Sequence, residues 1–234
     1  MIPLRDANPT RRRPVVTTAI IGACFVTFAI ELGLQLSGGE DALSRLFETF
    51  GLVPADLTAA LRSGNFFSLP VLTLVTYQFL HGGWIHIGAN LLYLWIFGNN
   101  VEDRLGRPAY LAFYLAGGVV AGLAQVAIDP SSTVPLVGAS GAIAAVLGAY
   151  AVLFPRARVL AIVFLVVFFE LTEVPSVVVL GLWFVLQVID GLASLGVEDV
   201  VGGVAIFAHI AGFVAGLVVG ALVRGARPKP LGAG

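Results

Sequence analysis

Residues 205–223 read AIFAHIAGFVAGLVVGALV. This stretch holds no Asp, Glu, Lys or Arg, and it has the length of a membrane-spanning helix, about 20 residues. Its one strongly polar side chain is His209, near the start. Gly212, Gly216 and Gly220 follow at four-residue spacing. Small residues so spaced line one helix face and let a neighbouring helix approach closely. His209 stands one turn before Gly212 and so leans toward that face.

The rest of the chain has the same character. Of 234 residues, 58% are hydrophobic and 12% charged, against about 25% charged in soluble domains. Mean hydropathy is +0.96. The class is a polytopic membrane protein with one domain and an all-α bundle. A net charge of −1 and the lack of a basic stripe point away from nucleic acid. The single cysteine, Cys24, falls in the first apolar span. It has no partner for a disulfide and reads as a small apolar filler. Arg outnumbers Lys by 12 to 1, which suggests a GC-rich bacterial genome.

Apolar runs predict spans near 15–36, 70–98 (apolar centre 87–98), 109–128, 138–154, 176–193 and 205–223. A further run at 158–169 is short and ends at Glu170, Glu173 and Pro175. Its length predicts an interfacial or re-entrant segment. With six spans, 11 of the 13 basic residues fall on one side: Arg5, Arg11–Arg13, Arg104, Arg107, Arg156, Arg158, Arg224, Arg227 and Lys229. Basic loops stay cytoplasmic, so both termini are expected inside, in a bacterial plasma membrane. A seventh span would put the basic tail outside. Residues 1–14 then form a cytoplasmic segment, 15–224 the six-span domain and 225–234 a cytoplasmic tail. The apolar run after Arg13 exceeds the about 7–15 residues of a secretory signal core and reads as a signal anchor. The loop 37–69 mixes Glu40, Asp41, Glu48 and Asp56 with Leu46, Phe47, Phe50, Leu52, Phe66 and Phe67. It predicts a partly embedded outer loop carrying a short amphipathic helix.

Ionisable and strongly polar residues are rare inside a bilayer and mark functional sites. Ser140 lies in VGASGAIAA, residues 137–145, where the fourth span opens after a polar loop. A serine at a helix N-terminus is either a cap or a nucleophile whose own N–H can meet an oxyanion. Serine needs a base to become nucleophilic, and neutral imidazole supplies one. His209 is either that base or a packing residue bonded to a carbonyl. Ser140, Ala144 and Gly148 form a small stripe on the fourth span, beside Gly141 and Ala145. Packed on the Gly212 stripe, it would bring Ser140 to His209. His86 and Asn90 are four apart and share a face of the second span. They are either oxyanion donors or a clasp between helices. His81, with Gly82 and Gly83, sits at the outer lip, where it can bond a loop or hold water. Metal binding is disfavoured: His81 and His86 are five apart, and no intramembrane acid or cysteine completes a set. Glu31, Gln187 and Asp190 fall near outer span ends and read as snorkelling or capping residues.

Taken together, His86/Asn90, Gly138–Gly141 as GxSG and Ala208–Gly212 as AHxxG resemble the rhomboid family of intramembrane serine proteases. The resemblance covers about residues 70–224, and VEDRLG at 101–106 is similar to a family motif in a cytoplasmic loop. It implies a Ser140–His209 dyad and an oxyanion hole from His86, Asn90 and the Ser140 N–H, with Gly138 shaping that loop. It also implies that His81 helps water reach the site, and that loop 194–204 and the fifth span gate substrate entry. No cofactor or metal is implied. The partners implied are transmembrane substrates and the lipid bilayer. Two departures stand out: loop 37–69 has no tryptophan, and Ala144 stands where some relatives carry an aromatic against the histidine. The expected reaction is cleavage of a transmembrane helix near the outer face. The rivals are a client-binding protein without activity and a small-solute channel.

Overall fold

The computed structural model describes residues 1–165, 168–194 and 206–225. Its helices are α1 (Val15–Phe50), α2 (Pro54–Arg62), α3 (Leu69–Thr76), α4 (Trp84–Leu105), α5 (Arg107–Ile128), α6 (Ser140–Leu153), α7 (Ser176–Ser194) and α8 (Ile206–Gly225). Three strands join them: β1 (Ile2–Asp6), β2 (Arg158–Leu165) and β3 (Phe168–Pro175). Loop 194–204, apart from Ser194, and the tail beyond 225 lie outside the described residues.

Among the described residues, α1, α5 and α8 are long and apolar enough to cross a membrane. α6 and α7 are shorter apolar helices, and α4 carries polar residues at its far end. The chain is an integral membrane protein with a helical core. The all-α expectation misses a three-stranded antiparallel sheet, ordered β1-β2-β3. The short apolar run at 158–169 is extended rather than helical: Arg158–Leu165 pairs with 168–175 from Arg158↔Pro175 to Leu165↔Phe168. Val159 and Ala161 are buried, alternating with more exposed neighbours at 160 and 162. That is the period of two expected of a strand rich in β-branched residues.

Two expected boundaries also move. α1 continues to Phe50, bent at Gly39, whose φ of 67° takes the left-handed region. The amphipathic helix expected within 37–69 is α2, burying Leu57 and Ala60. The second expected span divides into α3, a 3-10 turn at Tyr77–Phe79 and then α4, because Leu80 is extended and Gly83 has φ 151°.

At the centre stands α6, buried from Gly141 through Tyr150. Its neighbour α8 packs on it through glycine. A Cβ at Gly216 would strike the Ala145 carbonyl, one at Gly212 the Gly141 carbonyl, and one at Gly148 the Phe213 carbonyl. The two small stripes expected from sequence therefore do meet. Gly117 of α5 abuts Ala145 from another side. Without a hydrophobic driving force between helices in lipid, such close backbone contact supplies the dispersion that holds them. Cys24 is buried and free.

Opposite the N-terminus of α6, the bundle is tied by polar bonds. Pro14 precedes α1 and offers no side-chain acceptor, so Glu102 of α4 caps it. Its carboxylate accepts from Val16 N (3.0 Å), Thr17 N (2.7 Å) and Thr17 Oγ1 (2.8 Å). Asp6 of β1 accepts from Asn100 Nδ2 (2.6 Å) and Tyr150 Oη (2.8 Å). Burial pushes the Asp6 carboxyl above its ordinary value, partly offset by those bonds. Arg104 donates to the Val223 carbonyl at 2.9 Å, joining α4 to α8.

Candidate active site

The site forms where α4, α6 and α8 begin. Ser140 is the first residue of α6, and no side chain caps that helix. The N–H groups of its first turn therefore lack intrahelical acceptors. Ser140 Oγ lies 2.7 Å from His209 Nε2. His209 is buried on α8, and its other nitrogen, Nδ1, is 2.7 Å from Gln187 Oε1 on α7. The Trp183 ring, one turn before Gln187, stands 5.9 Å from the imidazole. Gln187 is thus no snorkelling residue: it points inward to the histidine.

A carbonyl oxygen can only accept, so Nδ1 carries the ring proton. Nε2 then presents a lone pair to the Ser140 hydroxyl, as a general base must. Ala144 lies beneath Gly212, where an added Cβ would be 3.3 Å from the Ala144 methyl. The small residue at 144 lets α8 come close, and the ring contact comes from Trp183 instead.

Next to Ser140 is a set of donors. Gly82 N–H donates to His86 Nδ1 at 3.3 Å, which leaves the His86 proton on Nε2. That nitrogen faces Gly138, where an added Cβ would sit 2.7 Å from it. Gly138 has φ 130°, and its N–H donates to the Tyr77 carbonyl at 2.9 Å. Tyr77 Oη in turn donates to the Gly118 carbonyl at 2.7 Å. Asn90 is buried, and its Nδ2 has no acceptor among the described residues. A buried amide left without a partner is costly and calls for an explanation.

His81 is buried with its ring edge-on to His86, centroids 5.3 Å apart. Its Nδ1 lies 3.1 Å from the Phe79 carbonyl, and its Nε2 is buried without a partner among the described residues. Glu31, read as a snorkelling or capping residue, is buried instead, and Oε1 accepts the His81 backbone N–H at 3.0 Å. The structure therefore brings Ser140, His209, His86 and Gly138 into one cluster, with His81 behind His86 and Asn90 one turn along α4. Among the described residues, no group of three or more His, Cys, Asp or Glu is placed to hold a metal.

Sequence reasoning missed Gln187, Trp183 and Tyr77. For Gln187 a signal existed: an uncharged polar residue in the apolar run of α7 carries the same cost argument as His209.

The Rhomboid domain family model matches residues 69–226. The chain belongs to the rhomboid family. This rhomboid is 31% identical over 97 residues to Rhomboid protein 1, mitochondrial, of Saccharomyces cerevisiae, covering 40% of this chain and 28% of that one. It is 37% identical over 92 residues to Presenilin-associated rhomboid-like protein, mitochondrial, of Mus musculus, covering 38% and 24%. The match to Rhomboid-like protein 11, chloroplastic, of Arabidopsis thaliana is 31% over 152 residues, covering 62% and 50%. The rhomboid thus spans about a quarter to a half of the length of these curated relatives.

Proposed function

We propose that this rhomboid is an intramembrane serine endopeptidase that cuts transmembrane helices near the outer membrane face. The carrying observation is the 2.7 Å contact of Ser140 Oγ with His209 Nε2. Ser140 attacks the scissile carbonyl while His209 takes the hydroxyl proton. The oxyanion is held by the Ser140 N–H, His86 Nε2–H and Asn90 Nδ2. His209 then protonates the leaving amine, and water, admitted past His81, releases the acyl group. No step calls on a metal or cofactor.

The reading includes six spans, α1 and α4–α8, with both termini inside a bacterial plasma membrane. Basic-residue placement and the arginine-rich composition support it, although the matched relatives carry mitochondrial and chloroplastic names. α6 has 14 residues, or about 21 Å, against about 30 Å of hydrocarbon. With its far end at the inner surface, Ser140 lies within the outer leaflet. A substrate helix must unwind there to expose its carbonyl, which small or helix-breaking residues favour. α7 and loop 194–204 are the proposed entry gate.

The test is labelling of the solubilised protein by a fluorophosphonate, beside Ser140→Ala and His209→Ala. Cleavage of a reconstituted transmembrane peptide with glycines near its outer end is followed in parallel. Labelling and cleavage lost in both variants support the protease. A folded protein that neither labels nor cleaves, yet retains the peptide, would instead be a client-binding member of the family.

A further inference from the structure

We propose that Gln187 is a positioning residue for His209, the third member of a Ser140–His209–Gln187 hydrogen-bonded triad. The inference rests on the protease reading above. Neutral imidazole has one ring proton and two nitrogens, and only the tautomer with Nε2 bare can deprotonate serine. The Gln187 carbonyl oxygen 2.7 Å from Nδ1 selects that tautomer. The amide turned the other way would donate to Nδ1, move the proton to Nε2 and block the base.

The step balances without Gln187 taking a proton. Ser140 Oγ bonds to the carbonyl carbon, and its proton moves to His209 Nε2. The imidazolium keeps its Nδ1–H on Gln187 Oε1. That bond strengthens as the ring becomes positive, because charge-assisted hydrogen bonds are about twice as strong as neutral ones. Trp183, four residues earlier on the same face of α7, packs beside the ring with centroids 5.9 Å apart. Both restraints on the imidazole come from α7. The dyad is therefore complete only while α7 is docked against α8.

Fluorophosphonate inactivation of the full-length detergent-solubilised chain tests this without a known substrate. Serine attack on phosphorus with loss of fluoride needs the same base. The maximal inactivation rate and the half-saturating concentration are measured separately. Gln187→Leu is expected to lower the maximal rate about 10- to 150-fold, as for loss of a hydrogen bond to a charged group. The half-saturating concentration stays within about twofold, and the unfolding midpoint is unchanged. Gln187→Glu keeps an acceptor at the same reach and should recover most of the rate. A wild-type rate in Gln187→Leu would overturn the proposal while leaving the protease reading intact. So would equal losses in both variants with a raised half-saturating concentration, since that pattern is a packing defect. Wild type labelling no faster than Ser140→Ala would sink the protease reading and this proposal together.

Discussion

Gly138→Ala is expected to disable the site while leaving most of the fold standing. Two costs meet at this residue. The first is backbone: φ is 130°, a region that side chains other than glycine's rarely adopt, at about 1–3 kcal/mol. The second is contact: the new methyl would lie 2.7 Å from His86 Nε2 and 2.9 Å from Cε1. Ordinary contact begins at 3.4 Å, so the imidazole must retreat by about 0.7 Å. A donor meant to sit about 2.7–3.1 Å from an oxyanion then falls beyond hydrogen-bond range. Loss of one such donor typically costs about 10²–10³ in rate. Gly106 provides the control, since it has φ 80° and an added Cβ there meets nothing within 4 Å. Gly106→Ala should lose similar stability and keep its rate. The assay is the fluorophosphonate labelling rate beside the thermal unfolding midpoint in the same detergent. Normal labelling by Gly138→Ala, or an equal loss in Gly106→Ala, would refute the role given to His86.

Four further outcomes follow from other parts of the bundle. Glu102→Ala strips three donors of α1 of their acceptor and should lower stability by roughly 2–5 kcal/mol, read as the unfolding midpoint. Gly216→Val drives a side chain into the Ala145 carbonyl and should cost more than about 3 kcal/mol. Gly33→Ala, on an exposed face with nothing within 4 Å, should be neutral or stabilising by up to about 1 kcal/mol. Asp6 titrates above its ordinary 3.8 in the folded chain. The folded state therefore holds this proton longer than the unfolded one, and stability from this group falls as pH rises from about 3.8 through the higher folded value. In Asp6→Asn that fall should flatten, as followed by unfolding at a series of pH values.

Much of the site could be read in sequence because membrane burial makes polar residues conspicuous. Ser140, His209, His86 and Asn90 each interrupt an apolar run, and the structure gathers them at one end of the bundle. Gln187 interrupts such a run equally. Its depth relative to His209 depends on how α7 is set against α8, so the sequence alone leaves it a snorkelling or capping side chain. Tyr77 gave no signal, since its part is played by a backbone carbonyl toward Gly138. The strands failed for different reasons. An apolar run as short as 158–165 has no period that distinguishes a buried helix from a strand. β1 is paired to residues some 160 positions away, Ile2 to Ile162, a contact that no local pattern encodes.

The two ends of the bundle do opposite work with the same kind of residue. At the far end, Glu102, Asp6, Asn100 and Arg104 use their hydrogen bonds on neighbouring elements. At the site end, Asn90 Nδ2, His81 Nε2 and Glu31 Oε2 are buried with no partner among the described residues. The same three helices run between these ends: α4 from Asn90 to Glu102, α6 from Ser140 to Tyr150, and α8 from His209 to Val223. Each is a stiff rod of about 1.5 Å per residue. A tilt of about 3° over the 14 residues of α6 moves Ser140 by about 1 Å. A displacement of that size can cost about 10²-fold in rate. Hydrogen-bonding capacity held unused for a substrate is stable only if the helices bearing it cannot tilt to satisfy it elsewhere. The clasp at the far end supplies that restraint, so the charged residues of VEDRLG belong to the precision of a site more than ten residues away along α4.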